Sequence, residues 1–173
     1  MSANSSNHVI ISAILEKDID GVRHIFIQTR WKPLISPTFS GLLEIPAGVV
    51  EPYEDVFDAL YREVKEETGL NITSVIDAHR GHVVENRPGN KTHVFTPFVC
   101  QQTLTTDGGL PWIGFVFRCI VSGEIHMQKE EAQDPQWMNV SDLKKILDES
   151  PERIFPLQYP VLKHYVESID QKK

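Results

Sequence analysis

Three glutamates lie close together in the stretch REVKEETGL, residues 62–70. If this stretch is helical, Glu63, Glu66 and Glu67 are three and four residues apart and share one face. Like charges at that spacing repel by roughly 0.2–0.5 kcal/mol per pair. Gly69 is typical of a helix end, so Glu66 and Glu67 also lie near the negative end of the helix dipole. Such a cluster requires a compensating positive charge.

A divalent cation is one source of that charge. Mg²⁺ prefers oxygen ligands and binds through a few carboxylates together with water and phosphate oxygens. With such a cation between them, an acidic site of this kind could also bind a phosphate group. The alternative is an exposed charged helix with ion pairs such as Asp58 with Arg62.

Residues before the glutamates could position them. Gly48 allows a tight loop to approach closely. Glu54 is expected in the first helical turn, where the dipole favours an anion. Arg62 carries a fork of donors that can hold carboxylates in a fixed orientation.

The chain around the glutamates predicts a mixed sheet with helices packed against it. A helix is predicted over 52–68, with Pro52 in its first turn. Its core face consists of Val56, Phe57, Leu60, Tyr61 and Val64. Strands are predicted within 8–16, 22–30, 41–45, 71–84, 92–100 and 112–121, the first two joined by a turn at Asp20-Gly21. Two more helices are predicted over 141–149, capped by Ser141, and over 156–169, whereas 31–40, 85–91, 105–111 and the polar stretch before Trp137 are predicted as loops.

Composition sets the broad class of protein. The 173 residues, 40% apolar and 24% charged, predict one globular domain over 8–170 after a short disordered tail at 1–7. The net charge of −7 argues against a nucleic-acid polymer as partner. No apolar run approaches the roughly 20 residues of a membrane span, and the start lacks signal-peptide features, so a cytoplasmic location is expected. Cys100 and Cys119 lie in apolar runs and are predicted to be buried free thiols.

The window from Gly48 to Leu70 resembles the signature of the Nudix hydrolase family. That signature specifies a glycine, a glutamate after five residues, Arg-Glu after seven more, an aliphatic residue, Glu-Glu, a glycine and a final aliphatic residue. All nine positions are filled, by Gly48, Glu54, Arg62, Glu63, Val64, Glu66, Glu67, Gly69 and Leu70. The resemblance implies an α+β fold, a sandwich of helices around a mixed sheet, and Mg²⁺- or Mn²⁺-dependent hydrolysis of a nucleoside diphosphate linked to another group.

The resemblance also implies roles for individual residues. Glu63, Glu66 and Glu67 would be catalytic metal ligands, and the backbone carbonyl of Ala47 would join them. Glu54 and Arg62 would orient those ligands. Relatives often add a glutamate from a loop before a Trp-bearing strand, which in KEEAQDPQW would be Glu131 or its neighbour Glu130. We expect Glu131 to be a further ligand or general base, the alternative being a solvated acidic loop.

Substrate selection is expected to depend on residues outside this window. The segment 79–93 gathers Arg80, Arg87 and Lys91 in an otherwise acidic chain, as a phosphate- or sugar-contacting surface or as a solvated loop. Arg30, at the end of the second strand, is a further candidate for substrate contact. The segment SGLLEIPAG resembles the branch that hydrolyses ADP-ribose and related nucleotide sugars, although the proline of that branch is not cleanly matched by Pro88.

Several functions follow from the resemblance. The leading hypothesis is a pyrophosphohydrolase acting on a nucleotide sugar such as ADP-ribose, and an alternative is a nucleoside triphosphate pyrophosphatase that cleans the nucleotide pool. A non-catalytic Nudix ligand-binding module is a second class, disfavoured because every carboxylate of the signature is present. A Ca²⁺-binding or helix-docking scaffold is a third class, and it is disfavoured further because the spacing matches no EF-hand loop. A homodimer is a further expectation.

Overall fold

The structure, a computed structural model, describes residues 8–106, 111–127 and 132–171. These ranges contain ten strands and three α-helices. The strands are β1 His8–Ile19, β2 Val22–Arg30, β3 Leu43–Glu44, β4 Ala47–Val49, β5 Asn71–Ile76, β6 His79–Arg87, β7 Asn90–Thr96, β8 Val99–Gln102, β9 Trp112–Ser122 and β10 Ala132–Asn139. The helices are α1 Val56–Thr68, α2 Val140–Glu149 and α3 Tyr159–Asp170. No helix in these ranges is long and apolar enough to cross a membrane.

One mixed sheet forms the centre of the fold. Its strands follow the order β10-β2-β1-β9-β5, with β3 beside β2, β4 beside β1 and β8 beside β9. β1 and β9 are parallel, and the other strand pairs of the described chain are antiparallel. β6 and β7 form a separate two-stranded sheet. The expected α+β class with a mixed sheet and flanking helices is thereby confirmed.

Helices cover both faces of the sheet because strand residues alternate between two apolar cores. On β1, Ile14 packs in the core shared with α2 and α3, whereas Ile11, Ala13 and Leu15 pack in the core shared with α1. Strands buried on both faces have near-continuous apolar sequences, which explains why alternation is weak in β1 and β9. Helices therefore pack on both sides of the sheet, because both of its faces are apolar.

The sheet splays open beside α1. β1 pairs with β2 only through Glu16–Ile19, next to the Asp20-Gly21 turn, and with β4 through Ile10–Ser12. At its other end β2 pairs with β3 instead, with Gln28 opposite Glu44. The short strands β3 and β4 therefore lie between the diverging ends of β1 and β2. This opening admits side chains from α1.

A buried charge cluster lies away from that opening. Arg118 on β9, only 4% exposed, donates to both carboxylate oxygens of Glu16, at 2.6 and 3.2 Å, and also to Asp77. Its guanidinium lies 5.5 Å from the ring centre of Phe98 and 5.3 Å from that of Tyr165. A buried guanidinium needs this full set of acceptors, because an unpaired buried charge is costly.

Several predicted elements differ in the structure. The segment 85–91, predicted as a loop, completes the β6–β7 hairpin, in which Glu85 pairs with Lys91. Of the polar stretch before Trp137, predicted as a loop, the residues from Ala132 onward belong to strand β10, whereas 128–131 lie outside the described residues. This strand tolerates polar residues because, in the described chain, it pairs with β2 alone and has a register shift between Gln133 and Gln136. Asn139, rather than Ser141, caps α2, since its side chain accepts a hydrogen bond from the Ser141 N–H.

Two predictions about burial were wrong. Tyr61 on α1 is 40% exposed because it lies at the border of the apolar face. Cys100 is exposed on β8, whereas Cys119 is buried as predicted. Burial raises the pKa of the Cys119 thiol, which therefore stays protonated and unreactive.

Candidate active site

The helix that carries the glutamates begins later than its sequence predicts. Asp55 is the N-cap, and its Oδ1 accepts a hydrogen bond of 2.9 Å from the Phe57 N–H. Pro52 and Glu54 therefore belong to the preceding turn rather than to the first turn of α1. Gly69 ends the helix as predicted, in the left-handed conformation with φ of 76°.

Arg62 is at the centre of the site and uses all five of its N–H donors. Its Nε and Nη2 donate to the two oxygens of Glu54, at 2.8 and 2.9 Å. Nη1 donates to Glu63, at 2.6 Å, and to Glu66, at 3.3 Å, while Nη2 also donates to the Val49 carbonyl at 3.0 Å. The hydrogen bond from Arg62 lowers the pKa of Glu54. Arg62 thus supplies part of the positive charge that the glutamates require, so cations need not supply all of it.

Gly48 lies directly beneath the carboxyl group of Glu63. A Cβ atom at position 48 would lie 1.9 Å from Cδ of Glu63 and about as close to both oxygens, so any larger residue would displace this carboxylate. Burial raises the pKa of Glu63, and its hydrogen bond with Arg62 opposes the rise. Only glycine at position 48 therefore leaves room for the Glu63 carboxyl group where it lies.

Glu67 reaches into the opening of the sheet. Its Oε2 accepts from the Ala47 N–H at 3.1 Å and lies 3.5 Å from Nε2 of Gln28, which also lies 3.5 Å from Glu44. Burial raises the pKa of Glu67 to about 8, and the neighbouring Glu44 carboxylate adds to the rise, whereas the Ala47 N–H and Lys32 oppose it. At neutral pH and without a cation, this side chain therefore holds a proton.

The Ala47 carbonyl faces the same side as Glu67. In the β1–β4 ladder the Ala13 N–H donates to the Pro46 carbonyl, so the next pair, Ser12 with Ala47, is not hydrogen-bonded. At such a position the N–H and C=O both point away from the partner strand. The Ala47 N–H bonds to Glu67, so its carbonyl also lies on that edge.

The residues offer suitable ligand atoms for Mg²⁺, but these atoms are not yet arranged around a common point. Carboxylate and carbonyl oxygens are the ligands that this ion prefers. Within the described residues, however, no three Asp, Glu, His or Cys side chains converge closely enough to hold an ion as they stand. Glu63 and Glu66 accept hydrogen bonds from Arg62, and Glu67 accepts one from the Ala47 N–H. A cation would have to compete with these hydrogen bonds.

A cavity of about 450 Å³ opens over these residues. Its walls combine acidic, basic and aromatic side chains. The cavity is lined by Glu51, Glu63, Glu67, Arg30, Lys32, Trp112, Phe155 and Gln158, together with Ile10, Ser12 and the segment 47–49. This volume is within the range of small-molecule sites. The cavity joins carboxylates and cations in one place.

A larger cavity, of about 710 Å³, lies elsewhere, beside Arg118 and Lys144. Lys144 pairs with Asp170 at 2.7 Å, and Arg118 is committed to Glu16 and Asp77. None of the signature glutamates lines this larger cavity, so the smaller cavity is the better candidate for a site that uses them.

The structure separates the residues predicted to contact substrate. Arg30 lines the cavity, where it bonds to Glu44 at 3.0 Å and lies 4.8 Å from the ring centre of Phe155. Arg80, Arg87 and Lys91 are on the β6–β7 hairpin and are not among the residues that line the cavity.

Two of these hairpin residues, Arg80 and Lys91, lie near acidic side chains outside the cavity. Arg80 lies 3.5 Å from Asp55 and 3.6 Å from Asp58, and Lys91 lies 3.9 Å from Glu85. The hairpin is therefore packed against the start of α1 rather than over the cavity. Glu131, and with it Glu130, lies outside the described residues.

Sequence reasoning missed several residues of this site. Glu44, only 6% exposed, bonds to Arg30 and shares the Gln28 amide with Glu67. A charged residue inside the apolar run LLEI was a usable signal, since buried glutamates are rare unless paired. Trp112 and Phe155 gave no signal, because Trp112 is predicted only as part of a strand and Phe155 lies just before the predicted last helix.

A glycine loop and an arginine-ordered acidic helix beneath a mixed sheet define a Nudix domain. The NUDIX domain model matches residues 7–158, which is most of the chain. The chain therefore belongs to the Nudix hydrolase family. A curated relative, an uncharacterized Nudix hydrolase of Schizosaccharomyces pombe, is 29% identical over 154 residues. The match covers 89% of this chain but only 58% of that relative's length.

Solved structures share the fold. A MutT protein from Methanosarcina mazei Go1 superposes with a TM-score of 0.64 at 18% identity, covering 99% of this chain and 100% of that one. The NUDIX domain of Shewanella oneidensis NrtR, complexed with ADP ribose, gives 0.63 at 13% identity, covering 95% and 89%. An Ap4A hydrolase from C. elegans gives 0.53 at 15% identity, covering 95% and 98%. At these identities the likeness shows the fold alone.

Proposed function

We propose that this chain is a divalent-cation-dependent pyrophosphohydrolase that cleaves the diphosphate linkage of a nucleoside diphosphate derivative, with a nucleotide sugar such as ADP-ribose as the leading candidate. One observation carries the proposal. Glu63 and Glu67 line the same cavity as Arg30 and Lys32, so carboxylates that can bind a cation face side chains that can bind phosphate.

The proposal assigns a role to each group of residues. Glu63, Glu66, Glu67 and the Ala47 carbonyl would hold Mg²⁺ or Mn²⁺. When bound, the ion would neutralise phosphate charge and lower the pKa of a coordinated water. Arg62 would keep Glu63 and Glu66 oriented, as its present hydrogen bonds do, with Glu54 anchoring its guanidinium and Gly48 leaving room for the Glu63 carboxyl group.

The chain's own residues also supply proton acceptors and cationic contacts. A glutamate of the cluster that is not engaged by the cation would accept the proton of the attacking water. Lys32 would contact substrate phosphate at the cavity wall, because its charge already acts on Glu67 across the site. Glu131 remains a proposed further ligand or base.

The wider organisation is also proposed. We infer a single Nudix domain over 8–170, preceded by a tail at 1–7 that lies outside the described residues. The substrate would be a small nucleotide rather than a nucleic-acid polymer, consistent with the net charge of −7. A cytoplasmic location and a homodimer are also proposed, as the sequence led us to expect.

The choice of ADP-ribose draws support from the comparisons. A neighbouring NUDIX domain of the same fold was solved with ADP ribose. Other neighbours are MutT proteins and an Ap4A hydrolase, so a nucleoside triphosphate or a dinucleoside polyphosphate must be tested beside it.

The deciding experiment is a hydrolysis panel with ADP-ribose, a nucleoside triphosphate and Ap4A, with and without Mg²⁺. AMP and ribose 5-phosphate as products would support the leading proposal, whereas a monophosphate with pyrophosphate would replace it with a triphosphate pyrophosphatase. Glu67→Gln should abolish turnover, and Glu149→Gln, at an exposed position on α2, should not. Tight nucleotide binding without turnover would favour a non-catalytic module.

A further inference from the structure

Trp112 differs from Phe155, the other aromatic residue among those that line the cavity. Phe155 already has the Arg30 guanidinium 4.8 Å from its ring centre and Phe39 in an edge contact at 5.4 Å. Trp112 also lines the cavity that contains Glu63. Among the described residues, however, no other ring or cation is stacked on this indole.

The indole of Trp112 is held in place by the strand beneath it. Both Trp112 and Gly114 point to the same face of β9, because they are two residues apart. A Cβ atom at position 114 would lie 2.6 Å from Cζ3 of Trp112, so the six-membered ring rests against the bare backbone of Gly114. Gly114 itself pairs with Ile10 of β1, another cavity residue. The ring is thus supported from one side and borders the cavity on another.

We propose that Trp112 is the platform on which the base of the nucleotide stacks, and that Gly114 sets the position of that platform. The inference rests on the proposed function for the class of ligand. A flat base would cover the indole while its phosphates extend toward Lys32 and the acidic cluster in the same cavity. Stacking of this kind favours ligands that carry a base over ligands that lack one. It discriminates weakly among the bases, because every base has a π-face.

The test compares two probes, AMP and ribose 5-phosphate, by titration calorimetry with Mg²⁺ present. Wild type should bind AMP more tightly, and Trp112→Leu should lose roughly 5- to 150-fold in AMP affinity, the range that corresponds to single base–aromatic stacks. Its affinity for ribose 5-phosphate should not change. Trp112→Phe should restore most of the loss, because it keeps an aromatic face.

Two further variants separate stacking from a structural effect. Trp31→Leu removes another tryptophan, 40% exposed and absent from the cavity wall, and should behave as wild type. Gly114→Ala keeps the indole but displaces it, and should weaken AMP binding while leaving ribose 5-phosphate binding intact. This variant tests the proposal even if Trp112→Leu folds poorly.

The proposal is overturned if wild type shows no preference for AMP, if Trp112→Leu keeps that preference, or if both probes weaken equally. Its failure is distinguishable from that of the proposed function. Turnover of ADP-ribose by wild type with an unchanged KM in Trp112→Leu would refute the platform alone. AMP binding that depends on Trp112, in a protein that hydrolyses nothing, would refute the hydrolase alone.

Discussion

Replacing Glu67 by glutamine should stabilise the metal-free protein at alkaline pH while removing its activity. The carboxylate reaches into the opening of the sheet, where it faces Glu44 and accepts hydrogen bonds from the Ala47 N–H and, at greater distance, from Gln28. Glutamine has the same shape and can accept those bonds through its amide oxygen. The substitution therefore removes a buried charge with little change in packing.

The size and sign of the effect follow from the pKa of Glu67. A rise from 4.5 to about 8 corresponds to at most about 5 kcal/mol, at 1.36 kcal/mol for each tenfold change in proton affinity. Because the side chain borders the cavity and solvent reaches part of it there, we expect about 2–3 kcal/mol after solvent screening. The native state keeps a proton that the unfolded chain has lost, so wild-type stability falls as the pH rises from 4.5 through about 8.

The assay is chemical denaturation of the chelator-treated protein at pH 5.5, 7 and 8.5, followed by circular dichroism. Glu67→Gln should match wild type most closely at pH 5.5 and exceed it by the full 2–3 kcal/mol at pH 8.5. Glu66→Gln is the matched control, because that side chain is 53% exposed on the same helix and should change stability by less than about 0.5 kcal/mol. Saturating Mg²⁺ should reverse the order by stabilising wild type alone.

A constant difference between Glu67→Gln and wild type across this pH range would refute the assigned burial of the charge. Retained turnover of Glu67→Gln at saturating Mg²⁺ would refute the assigned role as a ligand. The two results are independent, because the first concerns the metal-free protein and the second the catalytic complex.

Other substitutions have separate expected outcomes. Gly48→Ala should push the Glu63 carboxylate aside and reduce Mg²⁺ affinity about 10- to 100-fold with a nearly unchanged Tm, as measured by metal titration and thermal melting. Arg62→Lys keeps the charge but loses the five-donor fork, so kcat/KM should fall about 10- to 100-fold, and wild-type kinetics would contradict an orienting role. Arg118→Ala removes both hydrogen bonds from the Arg118 side chain to the buried Glu16, leaving Arg23 3.5 Å away, and should cost about 3–5 kcal/mol in urea denaturation, with unchanged activity per folded molecule.

Local signals in the sequence predicted the helix of the site well and its start poorly. Val56, Phe57, Leu60 and Val64 are buried as their spacing predicts, because a helix places such residues on one stripe. Pro52 is acceptable in a first turn, but the Asp55 side chain caps the helix and begins it after Glu54 instead. Proline position is therefore weaker evidence for a helix start than a residue that can bond to the exposed N–H groups.

The far wall of the cavity could not be predicted from sequence. Trp112 and Phe155 come from segments remote from the glutamates. The pairing of β9 with β1 brings Trp112 to the cavity, and Phe155 reaches it because its N–H donates to the Leu43 carbonyl of β3. Charge alone was misleading for the hairpin, since Arg80 lies beside Asp55 and Asp58 rather than in the cavity. The family signature determines its own helix and loop, whereas contacts made by other segments depend on the whole sheet.

The parallel pairing of β1 with β9 has a consequence for the order of folding. His8 lies beside Trp112, so about a hundred intervening residues must be enclosed before this pair of strands can join. Hairpins such as β1–β2 form early because they close short loops, whereas the long closure is slow. Newly synthesised chain can therefore complete the acidic helix well before β9 arrives, and ligand-binding competence should be among the last properties gained during refolding.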